Sequence, residues 1–295
     1  MEQEKSGTEE LRSNAGPSWQ RRLLRLLKVA GTTAVLGYLA LVVIAMFLEN
    51  TLIYFPVPYP HGDWKPKGLA FEDAWFTSDD GVRLHGWYLP TKNAHAAVLF
   101  CHGNGGNLSH RIAKLHMLRH CGASVLAFDY RGYGRSEGMP NEKGILADAR
   151  AARKWLADRE KIAETDVVVM GESLGGAVAV DLAAKDGARA MVLESTFSSL
   201  PDVAAYHYPF LPVRWLMRSR FDSLSKIRQY HGPLLMAHGD SDTIIPLASA
   251  QRLFEAANEP KQWILMAHHD HNDLPPGEFV EALAKFLHNL PAEKP

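Results

Sequence analysis

A buried strand that runs straight into a helix through Gly171-Glu172-Ser173-Leu174-Gly175 leaves a chain few ways to fold. Residues 167–170, Val-Val-Val-Met, are apolar, mostly β-branched and uninterrupted, as in a strand covered on both faces of a parallel sheet. The alanine-rich run from Leu174 reads as a helix, with Gly187 placed as its C-cap. So sharp a reversal has no room for Cβ atoms two residues before and two after the serine, and glycine stands at both places. Ser173 is therefore expected on a strained turn with its hydroxyl exposed. The Leu174 N–H and the helix N-terminus point toward that hydroxyl's surroundings, where they stabilise negative charge. The pentapeptide alone also fits a tight turn with a capping serine. The strand before it and the helix after it favour a nucleophile.

The same alternation runs along much of the chain. Strand-like runs occur at 96–101, 124–129, 166–170, 189–194, 233–238 and 262–267. Helix-like runs occur at 108–120, 143–158, 174–186, 247–257 and 278–290. Strand and helix in turn imply a mostly parallel sheet of about eight strands with helices on both faces. Two further strands, 70–77 and 82–89, flank Ser78-Asp79-Asp80-Gly81 and open the sheet as an antiparallel hairpin.

The N-terminal end is different. Residues 1–20 are polar and are expected to be disordered. Residues 21–48 join a basic flank, RRLLRLLK, to twenty residues (29–48) without a charge. At about 1.5 Å per residue such a helix spans roughly 30 Å, the thickness of a bilayer core. A buried soluble helix would show a polar face. A cleaved signal peptide would have a shorter apolar region and a small-x-small site after it. Arg21, Arg22, Arg25 and Lys28 precede the span, and only Lys65 and Lys67 lie in the twenty residues beyond it. The positive-inside rule then puts the N-terminus in the cytoplasm and the folded domain, 49–295, across the membrane. A net charge of −1 over 295 residues argues against a nucleic-acid partner. Two cysteines, Cys101 and Cys121, indicate neither a disulfide framework nor a cysteine metal site.

In open sheets of this kind, sites form beyond the carboxyl ends of the strands. His102-Gly103-Asn104-Gly105-Gly106-Asn107 follows one strand and Ser173 a second. Asp240 and Asp242 follow a third, and His268, His269 and His271 a fourth. A serine hydroxyl needs a base, imidazole supplies one near neutrality, and a carboxylate on the other ring nitrogen fixes the tautomer. The tetrahedral oxyanion needs preorganised donors, for which the N–H groups of Leu174 and Asn104 are the candidates. His102 reads as a structural hydrogen-bonding residue. The histidine cluster with Asp270 fits no standard zinc spacing.

With these motifs the chain resembles membrane-anchored serine hydrolases of the α/β-hydrolase superfamily, in the group with an HGNxGN oxyanion loop. The resemblance covers roughly residues 50–290. It rests on ENTLIYFP (49–56), DGVRLHGWYLP (80–90), CHGNGGN (101–107), FDYRGYGRSEG (128–138), GESLGG (171–176), ESTF (194–197), HGDSDTIIP (238–246) and HND (271–273). It implies the α/β-hydrolase fold, no cofactor, and hydrolysis of esters or thioesters, often of lipid-like acyl substrates. Among its relatives are peptidase-like proteins, and an inactive binding module of the same fold is the alternative from another class. Within the two clusters the group's patterns select Asp242 as the acid and His271 as the base. Arg131 and Arg135 in FDYRGYGRSEG read as scaffold rather than as anion receptors, and Glu172 as a packing residue. Residues 198–227 are too long for a simple crossover. They are expected to form a small helical cap over Ser173 whose Tyr206, Phe210, Trp215 and Leu216 line an acyl pocket, the alternative being a crossover helix whose apolar face covers the sheet.

Overall fold

The computed structural model describes residues 18–291, in two compact units split after Leu48. The first unit holds α1 (Ser18–Phe47), none of whose side chains is buried. The last three residues of the polar tail are thus helical, and 1–17 lie outside the described residues. By length and composition α1 can cross a membrane, a test that a signal sequence also passes.

The second unit runs α2 (Glu49–Ile53), β1 (Phe55–Pro56), β2 (Glu72–Thr77), β3 (Arg83–Leu89), β4 (Ala96–Cys101), β5 (Gly105–Gly106), α3 (Ile112–His120), β6 (Ala123–Asp129), α4 (Glu142–Glu160), β7 (Val168–Glu172), α5 (Leu174–Asp186) and β8 (Ala190–Glu194). It continues α6 (Leu200–His207), α7 (Val213–Leu216), α8 (Ser223–Lys226), β9 (Leu234–Gly239), α9 (Leu247–Ala256), β10 (Lys261–Met266) and α10 (Gly277–His288). Eight strands form one sheet in the order β10-β9-β8-β7-β4-β6-β3-β2. All neighbours are parallel except the β2–β3 hairpin and the β3–β6 pair. β1 and β5 make a separate two-stranded parallel patch.

Apolar residues alternate between the sheet's faces, as a period of two requires. On β4, Leu99 and Cys101 join the core shared with α4, α5 and α9, whereas Val98 and Phe100 join that shared with α3 and α10. The expected elements are present with small shifts. The strand expected from 166 starts at Val168, after one 3-10 turn at Glu164–Asp166. The helix expected over 108–120 is interrupted. A 3-10 turn, Leu108–His110, capped by the Asn107 side chain, precedes α3.

α5 is pinned by a buried carboxylate. Asp181 lies 2.8 Å from the cations of Arg150 on α4, Lys185 on its own helix and Lys226 on α8. Burial raises its pKa, but the three cations outweigh burial and lower it to about 2. The stabilisation is therefore full above the unfolded carboxylate value near 4 and is lost as pH falls toward 2. A shift of that size corresponds to about 2 kcal/mol. Asp181→Asn should lower stability at pH 7 by about that much and flatten its loss between about pH 4 and 2. Urea unfolding of the full chain at several pH values reads both effects, and an unchanged acid limb would refute the assignment.

Candidate active site

β7 delivers Ser173 and α5 begins at the next residue. Ser173 has φ 55° and ψ −119°, a region L-residues rarely occupy, so the expected strained turn is present. The flanking glycines are obligatory. A Cβ on Gly171 would overlap the Gly175 carbonyl, and one on Gly175 would overlap the Cys101 carbonyl. The turn is also tied to β8. Ser173 N–H donates to the Glu194 carbonyl at 2.9 Å, and Thr196 Oγ1 donates to the Ser173 carbonyl at 2.8 Å.

Two loops at the same sheet edge meet the serine. His271 Nε2 is 3.1 Å from Ser173 Oγ, and its Nδ1 is 2.8 Å from Asp242 Oδ2. With the imidazole proton on Nδ1, that nitrogen donates to Asp242 and Nε2 accepts from the serine hydroxyl. The second oxygen of Asp242 accepts the Ile244 and Ile245 amides at 2.9 and 2.7 Å. Burial raises the Asp242 pKa, but His271 and the Ile245 amide outweigh it, so the carboxyl is held below its usual range. Asp240 is engaged elsewhere, accepting from Ser241 Oγ and from the His268 amide. His269 is half-buried and its Nδ1 pairs with the Ala267 carbonyl. Ser173, Asp242 and His271 are thus in contact, and Asp240 and His269 have other partners.

The glycine-rich loop lies against the serine, since a Cβ on Gly103 would sit 3.4 Å from Ser173 Cβ. Among the described residues the Asn104 N–H has no hydrogen-bond acceptor, while its carbonyl accepts from Phe55 N–H at 3.1 Å and Tyr133 OH at 2.7 Å. The Leu174 N–H stands in the first turn of α5, where no intrahelical acceptor exists. Two orphan amides therefore lie in the segments that border the hydroxyl. His102 is buried, with Nδ1 paired to the Gly103 carbonyl at 2.7 Å, as a structural residue would be.

Several contributors escaped sequence reasoning. Lys114 reaches Glu194 at 2.5 Å and Glu172 at 3.6 Å, and Arg111 stands 3.8 Å from Glu172. Burial raises the Glu172 pKa, but these cations outweigh it and lower the net value. Arg111 also donates to the Gly105 carbonyl, so the residue beside the nucleophile is ionically joined to the glycine-rich loop. Asp270 accepts from the Thr243 and His271 amides at 2.8 and 2.7 Å, latching the acid loop to the histidine loop. His238 Nε2, buried, lies 3.3 Å from Asp242 Oδ2. Lys114 and Arg111 lie in no motif, and nothing in the motifs that hold Glu172, Glu194 and His238, or in the histidine cluster around Asp270, shows these pairings. They meet only through the fold.

Other expected roles are clarified by placement. Arg131 is buried and bound to Asp80 and Asp148, and the Arg135 guanidinium stacks on Tyr59 and Trp64. Burial pushes the Cys101 thiol up to about 12, which makes it inert beside the site. Both cysteines are free. Residues 198–227 form the short helices α6, α7 and α8, and their aromatic side chains depart from expectation. Tyr206, Phe210 and Trp215 are 64%, 60% and 88% exposed, so they do not line an enclosed pocket. The short α7 has no buried residue and leaves Trp215 exposed, while Leu216 is half-buried.

The sheet order, the strained serine between strand and helix, and the adjoining histidine and aspartate together define an α/β hydrolase. The chain belongs to the α/β hydrolase family. Its residues 92–228 match the Hydrolase_4 family, described as serine aminopeptidase, S33. It is 40% identical over 271 residues to the Mycobacterium tuberculosis protein Rv2307c, covering 88% of this chain and 96% of that one. It is 32% identical to the α/β hydrolase domain-containing protein WAV2 of Arabidopsis thaliana, over 73% of this chain and 78% of that one. A solved Pyrococcus furiosus structure, the esterase Pf2001, superposes with a TM-score of 0.66 at 23% identity, covering 81% of this chain and 99% of that one.

Proposed function

We propose that this hydrolase cleaves carboxylic esters or thioesters of lipophilic acyl groups through an acyl-enzyme on Ser173. The observation that carries the reading is the continuous hydrogen-bonded path from Ser173 Oγ through His271 to Asp242. His271 Nε2 takes the serine proton as Oγ adds to the acyl carbonyl. Asp242 stabilises the imidazolium. The Asn104 and Leu174 amides receive the oxyanion. Collapse breaks the bond to the leaving alcohol or thiol, which takes the proton from His271. A water molecule, deprotonated by the same nitrogen, then adds to the acyl carbonyl and releases the acid and Ser173.

The lipophilic preference is supported by α1, which as an N-in anchor holds the catalytic unit on the extracytoplasmic side of a bilayer. Of the four cap residues, half-buried Leu216 is retained as an acyl contact and the three exposed aromatics are not. A peptidase reading is favoured by the family description, but the carboxylates nearest the serine are committed. Lys114 occupies Glu194 and shares Glu172 with Arg111, so neither serves to hold a peptide amine.

The test is a panel of p-nitrophenyl esters, an acyl thioester and a peptide anilide, turned over by the full chain in detergent. Each buried methylene contributes at most about 0.8 kcal/mol, about fourfold in kcat/KM. Medium-chain esters should exceed acetyl esters severalfold, and the anilide should be slowest. A flat chain-length profile contradicts the acyl preference, and faster anilide cleavage establishes the peptidase.

A further inference from the structure

The motif ENTLIYFP, directly after α1 in sequence, has no part in the chemistry above, yet its backbone holds the glycine-rich loop. Gly103, Gly105 and Gly106 leave that loop intrinsically mobile, and nothing lies within 4 Å of a Cβ built on Gly105. Steric packing does not fix Gly105. Hydrogen bonds from residues 53–57 hold the loop along its length. Asn104 Nδ2 donates to the Ile53 carbonyl at 2.7 Å, and Phe55 N–H donates to the Asn104 carbonyl at 3.1 Å. Val57 N–H then donates to the Gly106 carbonyl at 2.9 Å, and Asn107 Nδ2 to the Val57 carbonyl at 3.0 Å. Both the side-chain amide and the carbonyl of Asn104, the residue after the Gly103 that lies against Ser173, are tied to this segment.

The segment's other end is fixed at residues 218–219. Glu49, 5% exposed, accepts the Arg218 amide at 3.0 Å and the Ser219 amide at 2.7 Å. Tyr54, between the two anchors, is buried in the main core. α2 and β1 therefore form a strut that starts at residues 218–219 and ends on the oxyanion loop.

We propose that residues 49–57 are a positioning element for the Asn104 amide, so that the stretch following the apolar helix contributes to turnover without touching substrate. The proposal rests on the serine hydrolase reading. Misplacing a reacting group by 1 Å can cost about 100-fold in rate. Weakening one of several ties should cost less, about tenfold.

Two variants of the full chain, in detergent, test it. Glu49→Gln weakens the anchor at residues 218–219, and Asn104→Ala removes the Ile53 tie while keeping the amide N–H. Each should lower kcat on an activated ester about tenfold, with KM within twofold. Affinity for a boronic acid, which mimics the tetrahedral species, should fall by the same factor, and affinity for the product carboxylate should not. Leu52→Ala, an exposed side chain on the same helix, should behave as wild type. Should Glu49→Gln fail to fold, Asn104→Ala decides alone. A kcat within twofold of wild type, or equal weakening of boronate and product, overturns the proposal. If wild-type Ser173 itself resists a fluorophosphonate, the serine hydrolase reading fails instead. If wild type and variants label at one rate, only the positioning role fails.

Discussion

Ser173→Ala should lower kcat by about 10⁴- to 10⁶-fold while leaving the fold intact, because triad members act as a unit and losing one removes nearly all their effect. The change deletes one hydroxyl. Among the described residues that hydroxyl hydrogen-bonds to His271 alone, so no structural tie is cut with it. The backbone bonds that hold the turn, from Ser173 N–H to Glu194 and from Thr196 to the Ser173 carbonyl, survive. KM should change little, since the hydroxyl acts on the transition state more than on bound substrate. Steady-state rates with a p-nitrophenyl ester measure the loss, and thermal unfolding checks the fold. Activity within tenfold of wild type would end the mechanism.

The second large effect separates two aspartates two residues apart. Asp242→Asn should cost about 10³- to 10⁴-fold in kcat, because an amide no longer enforces the Nδ1–H tautomer of His271. Asp240→Asn should cost less than about threefold. Its carboxylate is exposed and caps the turn through Ser241 and the His268 amide. The same logic ranks His271→Gln far above His269→Gln. Reversed rankings would relocate the acid and base.

How much of this was legible beforehand follows from the range of each interaction. The elbow was legible because its constraint is local. Steric exclusion at Gly171 acts on the Gly175 carbonyl four residues on, and together with the glycine that the Cys101 strand end demands at 175 it leaves a pattern in the string. The sheet was legible from strands buried on both faces, and the strand ends located the edge where the loops converge. Asp240 and Asp242 could not be separated by residue type alone, and a family resemblance was needed to prefer one. The distinction lies in which carboxylate meets Ile244 and Ile245 amides and which meets a loop 28 residues away.

Residues joined only by tertiary contact left no such mark. Lys114 and Glu194 are 80 positions apart, and Glu49 and Ser219 170. Lys114 reads in sequence as one more helical surface lysine, yet it is buried. The cap failed in the opposite sense. A run rich in aromatics reads as a pocket lining, because apolar side chains are expected to be covered. Here α6 and α7 lie along the surface, and Trp215 projects outward. Composition recorded the apolar area but not which way each short helix faces.

The central claim is that Ser173 is a nucleophile activated by His271. Incubating the full chain with a fluorophosphonate and mapping the adduct by mass spectrometry tests it most directly. The account predicts one phosphonyl group per chain, on Ser173, with labelling abolished in Ser173→Ala and slowed at least about 100-fold in His271→Gln. An adduct on another residue, or a folded wild-type chain that takes up no label, would contradict it.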